Sequence, residues 1–458
     1  MGKQDKPEVE SPRRYVKRAL AGAIAKATAP VAVVEGAQGT GKTTFVRNED
    51  VFKGYRYVTL ADDETYAEAS AHPADWLALQ RRPVIIDDAH RIPGLVQVAQ
   101  RVGPQRRVKR PSLVLVASEH MPAVEDEAAE ESTPKKKGEK PARPKPPPRI
   151  ERFRLYPLTQ AEINGRVGCI IDDLFDGDVM KKFCNFCTRS DLRTMMRVGG
   201  FPERVMYPAR ALSRRSDNDA LQQAGLQAVR SRPGEPDAGI DQLIEKAILE
   251  RMLTSPGVFL GVDAMAAACS VDAPTLTAYL GMLQDKFLIH RMIQVDRKKA
   301  QLASFSKTRI YPTDTMFSVE ALLEADRDIT VEPPIFARVL RTFCLSQLLP
   351  AIQWASEPTE CRHWRKFDHR IREVDIVLKR GSRLVGISIR NSIAARTDTV
   401  GALRLLAEDE RFERGFIIYM GPTPRRLTDK IWAIPVSALW QNEAFLPGVS
   451  SFQESVSR

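Results

Sequence analysis

A multidomain α/β fold built on a parallel sheet is predicted from three features of the sequence. A β-branched run, Val31–Glu35, enters the glycine-rich stretch GAQGTGKTT and then a helical segment. A second apolar run, 84–86, ends on the paired acids Asp87 and Asp88. Toward the C-terminus, strand-like runs at 371–378 and 384–389 are followed by a helical pattern at 399–408. Strands alternating with helices point to parallel sheets covered on both faces. At 458 residues, 43% hydrophobic and 28% charged, the chain is long enough for two or three cores, which excludes a single disulfide-stapled module.

The spacing Gly36-x4-Gly41-Lys42-Thr43 is the Walker A pattern, and each position has a physical task. Gly36, Gly39 and Gly41, with Thr40 between them, allow left-handed backbone and turn N–H groups toward phosphate oxygens. The helix start that follows adds partial positive charge. Lys42 is expected at the β and γ phosphates, the Thr43 hydroxyl on Mg²⁺, and Thr44 near the α phosphate. About forty-five residues on, a buried strand ending in acids is the Walker B arrangement, so the expected ligands are ATP and Mg²⁺. Asp87 holds the Mg²⁺ shell and Asp88 orients the attacking water. Most such sites carry Glu at the second place; Asp is one methylene shorter, which predicts slow hydrolysis. A third strand, 112–117, ends at Ser118, and Gly199-Gly200-Phe201-Pro202-Glu203 reads as a tight turn after a helix.

The order of motifs resembles prokaryotic AAA ATPases that carry a C-terminal domain of unknown function similar to a PD-(D/E)XK nuclease. The segments that carry the resemblance are GAQGTGKTT, YRYVTLADDE (55–64), VIIDDAHRIP (84–93), RFRLYPLTQAEI (152–163), GGFPERV (199–205) and REVDIVL (372–378). The resemblance implies three parts: a P-loop AAA-type parallel-sheet domain at 1–212, a winged-helix-like α domain at 240–325 after a linker at 213–239, and an α/β restriction-nuclease-like domain at 326–445 with a tail at 446–458. It also implies that Ser118 senses the γ phosphate and that an arginine finger precedes the LYPL segment, at Arg149, with Arg152 and Arg154 as neighbouring alternatives.

Residues 119–148 interrupt the first domain with an acidic block followed by KKKGEKPARPKPPPR, a composition that cannot bury apolar surface and predicts disorder. Further on, helices are predicted at 243–253, 262–268 and 273–285. The spacing of Leu260, Met265, Ala268, Val271, Leu276, Tyr279, Leu280 and Leu283 fits a winged helix-turn-helix. The would-be recognition helix carries no Lys or Arg, so direct base reading there is poor. Arg297, Lys298, Lys299, Lys307 and Arg309 form a basic stretch that makes a phosphate-touching wing, and hence DNA, one alternative; a packing module between the other domains is the second.

A nuclease of the PD-(D/E)XK type needs carboxylates from two adjacent strands on one Mg²⁺. Asp375 supplies the first, but Ser388 stands at the second place, Arg390 at the lysine and Ala337 where a helix often adds Glu, so nuclease activity is not expected. The lone pair Cys184-x2-Cys187 reads as two helical cysteines, and no metal besides Mg²⁺ is expected. Six cysteines point to a reducing, cytoplasmic setting. The stretch 19–34 is broken by Lys26 and Pro30, so no membrane span is expected. The formal charge of +11 allows a polyanionic partner; a protein partner or homo-oligomer is equally open. The function expected is an ATPase that couples nucleotide state to domain movement; the alternative is a slow nucleotide-switched binding protein.

Overall fold

The computed structural model describes residues 15–102, 108–122, 150–166, 168–178, 186–213, 242–259, 261–295, 308–329, 331–395 and 400–441. The interruption predicted to be disordered, apart from its first four residues, lies outside the described residues, as do the 213–239 linker past Ser213 and the tail.

Strands β1 (Val31–Glu35), β2 (Arg56–Thr59), β3 (Val84–Asp87), β4 (Leu113–Ala117) and β5 (Ile150–Arg154) form one parallel sheet in the order β2-β3-β4-β1-β5. Alternation along each strand feeds two cores. Val31 and Val33, Val84 and Ile86, and Leu113 and Leu115 face one side, where helix Leu95–Val102 covers them. Ala32 and Val34, Ile85, and Val114 and Val116 face the other, with Phe45 and Val46 of helix Lys42–Asn48 and with Leu20 and Ile24. Because β1 is central and buried throughout, the loop at its C-terminal end starts from a rigid base. Edge strand β5 is less apolar, and only Ile150 and Phe153 of it are buried.

Short helices follow at Gln160–Ile163, Ile170–Asp176, Arg189–Val198, Pro202–Met206 and Pro208–Ser213. The first and third start with capping boxes, Thr159 with Glu162 and Thr188 with Asp191, which satisfy orphan N–H groups at both ends of the motif. Next comes a module of helices Gln242–Thr254, Val262–Ala268 and Ala273–Asp285, a two-stranded antiparallel hairpin of β6 (Ile289–Met292) and β7 (Arg309–Pro312), and helix Thr315–Glu324. Its core holds Met265, Leu276, Tyr279, Leu280 and Leu283 as expected. Ala268 is exposed instead of inward, because the buried face of that helix runs through Met265, Ala266 and Cys269.

The C-terminal part is a mixed sheet in the order β12-β13-β11-β10-β9-β8, with β8 Glu360–Asp368, β9 Arg370–Arg380, β10 Arg383–Ile389, β11 Phe412–Tyr419, β12 Arg425–Arg426 and β13 Ile431–Pro435. β8, β9 and β10 are antiparallel neighbours, while β10, β11 and β13 run parallel. Helix Pro333–Ile352 packs on one face and helix Gly401–Leu406 on the other. The first is the one helix among the described residues long and apolar enough to cross a bilayer, yet 72% of its apolar window is buried in this core.

Candidate nucleotide-binding site

The glycine loop turns from β1 into helix Lys42–Asn48 with Gly39 at φ 81° and Gly41 at φ 86°, backbone that side chains with a Cβ rarely adopt. A Cβ on Gly36 would lie 2.3 Å from the Leu155 carbonyl oxygen, so only glycine lets the loop start against β5. Lys42 is buried and its ammonium donates to the Gly36 and Ala37 carbonyls, both at 2.9 Å. Burial lowers its pKa to about 8, against the opposing pull of Asp87 and Asp88. The Thr43 hydroxyl donates to Asp87 Oδ2 at 2.6 Å, which joins the start of the helix to the end of β3. The Thr40 hydroxyl donates inward to the Ala37 carbonyl at 2.8 Å, so it braces the loop from below.

Asp87 gathers two further donors. The Tyr57 hydroxyl on β2 donates to Oδ2 at 2.8 Å, and the Asp88 N–H donates to Oδ1 at 2.9 Å. Tyr57 has its pKa pushed up to about 12, by burial first and by Asp87 next. Asp88 has left-handed backbone at φ 57° and accepts from the Thr59 hydroxyl at 3.3 Å. Ser118 follows β4, and its N–H donates to His90 Nδ1 at 3.4 Å. Burial holds His90 below the usual imidazole range, which keeps that nitrogen able to accept.

Lys42, Thr43, Thr44, Asp87, Asp88 and Ser118 all line one cavity of about 1220 Å³, large enough for a nucleotide. Several of its walls come from residues outside the glycine loop and the β3 acids. Pro202 and Phe201 of the Gly-Gly-Phe-Pro turn close over the loop, with Pro202 Cγ 3.3 Å from a Cβ placed on Gly41. The turn itself is held by Gly200, whose N–H donates to buried Asp314 Oδ2 at 2.7 Å. Arg18, also buried, donates to the Thr40 carbonyl and to Glu162 at 3.2 Å each, and to the Tyr156 carbonyl. A single arginine before β1 gave no signal in the sequence, since its partners lie 22 to 144 positions away.

Of the arginine-finger alternatives, Arg149 lies outside the described residues. Arg152 donates to Glu35 at 2.5 Å and to the Met121 carbonyl at 2.5 Å, while Arg154 stacks over Tyr156 and Phe287. In the basic stretch, Arg297, Lys298, Lys299 and Lys307 also lie outside the described residues. Arg309 does not belong to a phosphate-facing wing. It is buried on β7, donates to the Gly257 carbonyl at 2.6 Å and pairs with Glu373, so its charge is spent inside the protein.

In the C-terminal sheet, Asp375 is buried between two arginines, with Arg341 Nε 2.9 Å from Oδ1 and Arg390 Nη1 3.4 Å from Oδ2, and it accepts from the Ile389 N–H at 2.8 Å. Arg341 stands one helical turn beyond Ala337, on the same face. Ser388 is fully buried, and its hydroxyl has no hydrogen-bond partner. Among the described residues no group of three His, Cys, Asp or Glu side chains is placed to share an ion.

No curated protein matches the chain. Among solved structures it is similar to a signal transduction ATPase with numerous domains from Pyrococcus horikoshii that carries a tetratricopeptide repeat sensor, at 14% identity and a TM-score of 0.25, covering 74% of this chain and 50% of that one. It is also similar to a RuvB variant from Thermotoga maritima, at 16% identity and a TM-score of 0.23, covering 62% of this chain and 90% of that one. The chain thus spans half the length of the first of these. Residues 337–439 match the family described as a domain of unknown function, DUF4143. The protein is an α/β chain with a five-stranded parallel sheet and a separate C-terminal sheet, the second within the residues that match that family.

Proposed function

We propose that the cavity binds ATP with Mg²⁺ and that the protein hydrolyses it slowly to drive movement of its other domains on a partner. The observation that carries this is the Thr43 hydroxyl at 2.6 Å from Asp87, beside a buried Lys42, all open to one cavity. The residues fit the ligand. Lys42 has two carbonyl partners that a phosphate can replace, and Thr43 and Asp87 already sit within reach of a common ion. Thr43 and Asp87 would hold Mg²⁺, which would supply positive charge against the phosphates. Lys42 neutralises the terminal phosphates, the loop N–H groups orient them, and Asp88 aligns water. Asp88 is short and tied to Thr59, which favours slow turnover and a switch-like use of the nucleotide.

The domain reading that accompanies this is an ATPase part at 1–212, a winged-helix-like part at 240–325 and a nuclease-like part at 326–445 without a working metal site. The last follows from Asp375, whose charge is already matched by Arg341 and Arg390. A guanidinium stays protonated and cannot serve as base. DNA through the basic stretch, a protein partner and self-association all remain alternatives for the partner.

Calorimetric titration of the full chain with ATP and Mg²⁺ tests the reading. Wild type is expected to bind in the micromolar range, ~1–100 μM, and Lys42→Ala to lose at least about tenfold through removal of a charge-assisted contact. Equal affinity in the two would overturn the loop assignment. Phosphate release with and without DNA separates a coupled ATPase from a binding switch.

A further inference from the structure

One more cation reaches the cavity, and it comes from the module that carries the β6–β7 hairpin. Helix Ala273–Asp285 is followed by Lys286 and then by Phe287 at φ 60°. Left-handed backbone at a phenylalanine persists only where its surroundings fix it. Phe287 is buried, its carbonyl accepts from the Thr313 hydroxyl, and the Arg154 guanidinium lies over its ring at 4.4 Å. The turn leaves Lys286, only 4% exposed, on the wall of the cavity shared with Lys42, Thr43 and Asp87.

Lys286 Nζ lies 3.2 Å from Glu119 Oε1 but makes no aligned hydrogen bond. An ammonium has three donors, and one poorly aligned acid leaves a buried one under-satisfied. Glu119 is the second residue past β4. Because the Gly36 N–H donates to the Ala117 carbonyl at 3.2 Å, that segment runs beside the start of the glycine loop. The two parts are joined at this point by backbone as well, since the His120 N–H donates to the Asp285 carbonyl at 2.7 Å.

We propose that Lys286 is a second phosphate-contacting residue, which exchanges Glu119 for the terminal phosphate of a nucleoside triphosphate and so ties the hairpin-bearing module to nucleotide state. This rests on the reading of the cavity as a nucleotide site. Without nucleotide, Glu119 occupies the ammonium; with a triphosphate, the phosphate oxygens supply the acceptors it lacks. A diphosphate has no terminal group at that place, so Lys286 discriminates between the two.

The test is calorimetry on the full chain with Mg²⁺, comparing a non-hydrolysable ATP analogue with ADP. Lys286→Met is expected to weaken the analogue about tenfold, as for loss of a hydrogen bond to a charged group, and ADP less than about twofold. Glu119→Gln removes the competing acid and is expected to tighten the analogue about threefold. An unchanged ratio of the two affinities in Lys286→Met overturns the proposal. Should that variant not fold, Glu119→Gln decides, and unchanged or weakened analogue binding overturns it. If wild type binds both nucleotides and Lys42→Ala binds neither while the ratio is unmoved, the Lys286 assignment alone fails. If wild type binds neither, the nucleotide reading fails and takes the proposal with it.

Discussion

At the scale of single residues, the site is a set of carboxylates whose partners are already chosen. Asp87 has three donors yet lines the cavity, while Asp375 is enclosed by two guanidinium groups and the Ile389 N–H. That difference separates a candidate ion ligand from a structural acid. His120 shows the same economy at the domain junction. Its pKa is raised by the hydrogen bond with Glu35, against burial and against Arg152, with Asp285 adding to the rise. A histidine whose folded pKa lies above its unfolded value contributes stability below the unfolded value, near 6.5, and loses it as pH rises through the folded one. With 37% of the side chain exposed, screening keeps the effect small. Melting curves from about pH 6 to pH 8 should therefore show wild type losing more of its midpoint than His120→Gln. Parallel profiles would show that the Glu35 contact contributes nothing.

The same scale shows what the sequence could and could not carry. Lys42, Thr43 and Asp87 were legible because their chemistry is contiguous, or lies in two short motifs with fixed tasks. Arg18 and Lys286 were not, because each reaches the cavity only through the packing of distant segments and nothing local marks it; Tyr57 and Pro202 stand in segments that carry the resemblance, but their places beside Asp87 and the glycine loop come from sheet order and packing.

Among the elements, the parallel strands with unbroken β-branched runs and the helices Val262–Ala268 and Ala273–Asp285 were readable from pattern. Strand β5 was missed because charged residues at 151, 152 and 154 disguise an edge strand that buries only Ile150 and Phe153, one toward each core. Strand β8 was missed for a similar reason, since charged and polar residues outnumber the apolar ones in ECRHWRKFD and it owes its place to pairing with β9. The basic wing was read from charge density alone, and Arg309 shows the weakness of that inference, since a buried ion pair and a phosphate contact use the same residue type. For β9, Asp375→Ala should leave Arg341 and Arg390 without their acid. A loss of about 2 kcal/mol is expected, less than for a fully buried pair because both arginines are partly exposed. Urea unfolding measures it, and no Mg²⁺-dependent cleavage of DNA or RNA should be present before or after the change. Cleavage that disappears with Asp375→Ala would contradict the structural role.

Across the whole molecule, Arg380 joins helix Ile170–Asp176 to β9. It is fully buried, donates to Asp172 at 2.6 Å, lies 3.6 Å from Asp176 and stacks over Phe175 at 4.3 Å. Burial works against the Asp172 carboxylate, but the bonds from Arg380 and Ser356 hold it below the usual range. Arg380→Met keeps the volume and removes the charge, so hydrogen exchange should quicken in Ile170–Asp176 by about tenfold or more while β1 and β4 keep their protection. Unchanged exchange at 170–176 would mean that apolar packing alone holds this helix to the C-terminal sheet.

Helix Pro333–Ile352 buries one side against helices Ile170–Asp176, Arg189–Val198 and Thr315–Glu324, earlier in the chain, and another against Ile376, Val385, Ile387, Phe416 and Ile418 of the sheet, later in it. During synthesis those strands follow it out of the ribosome, so for tens of residues of elongation the sheet-facing side of a helix of bilayer-spanning length and hydropathy has no strands to cover it. The interval between translating residue 352 and residue 435 therefore leaves that side open to capture by chaperones, by membranes or by its own copies on neighbouring ribosomes.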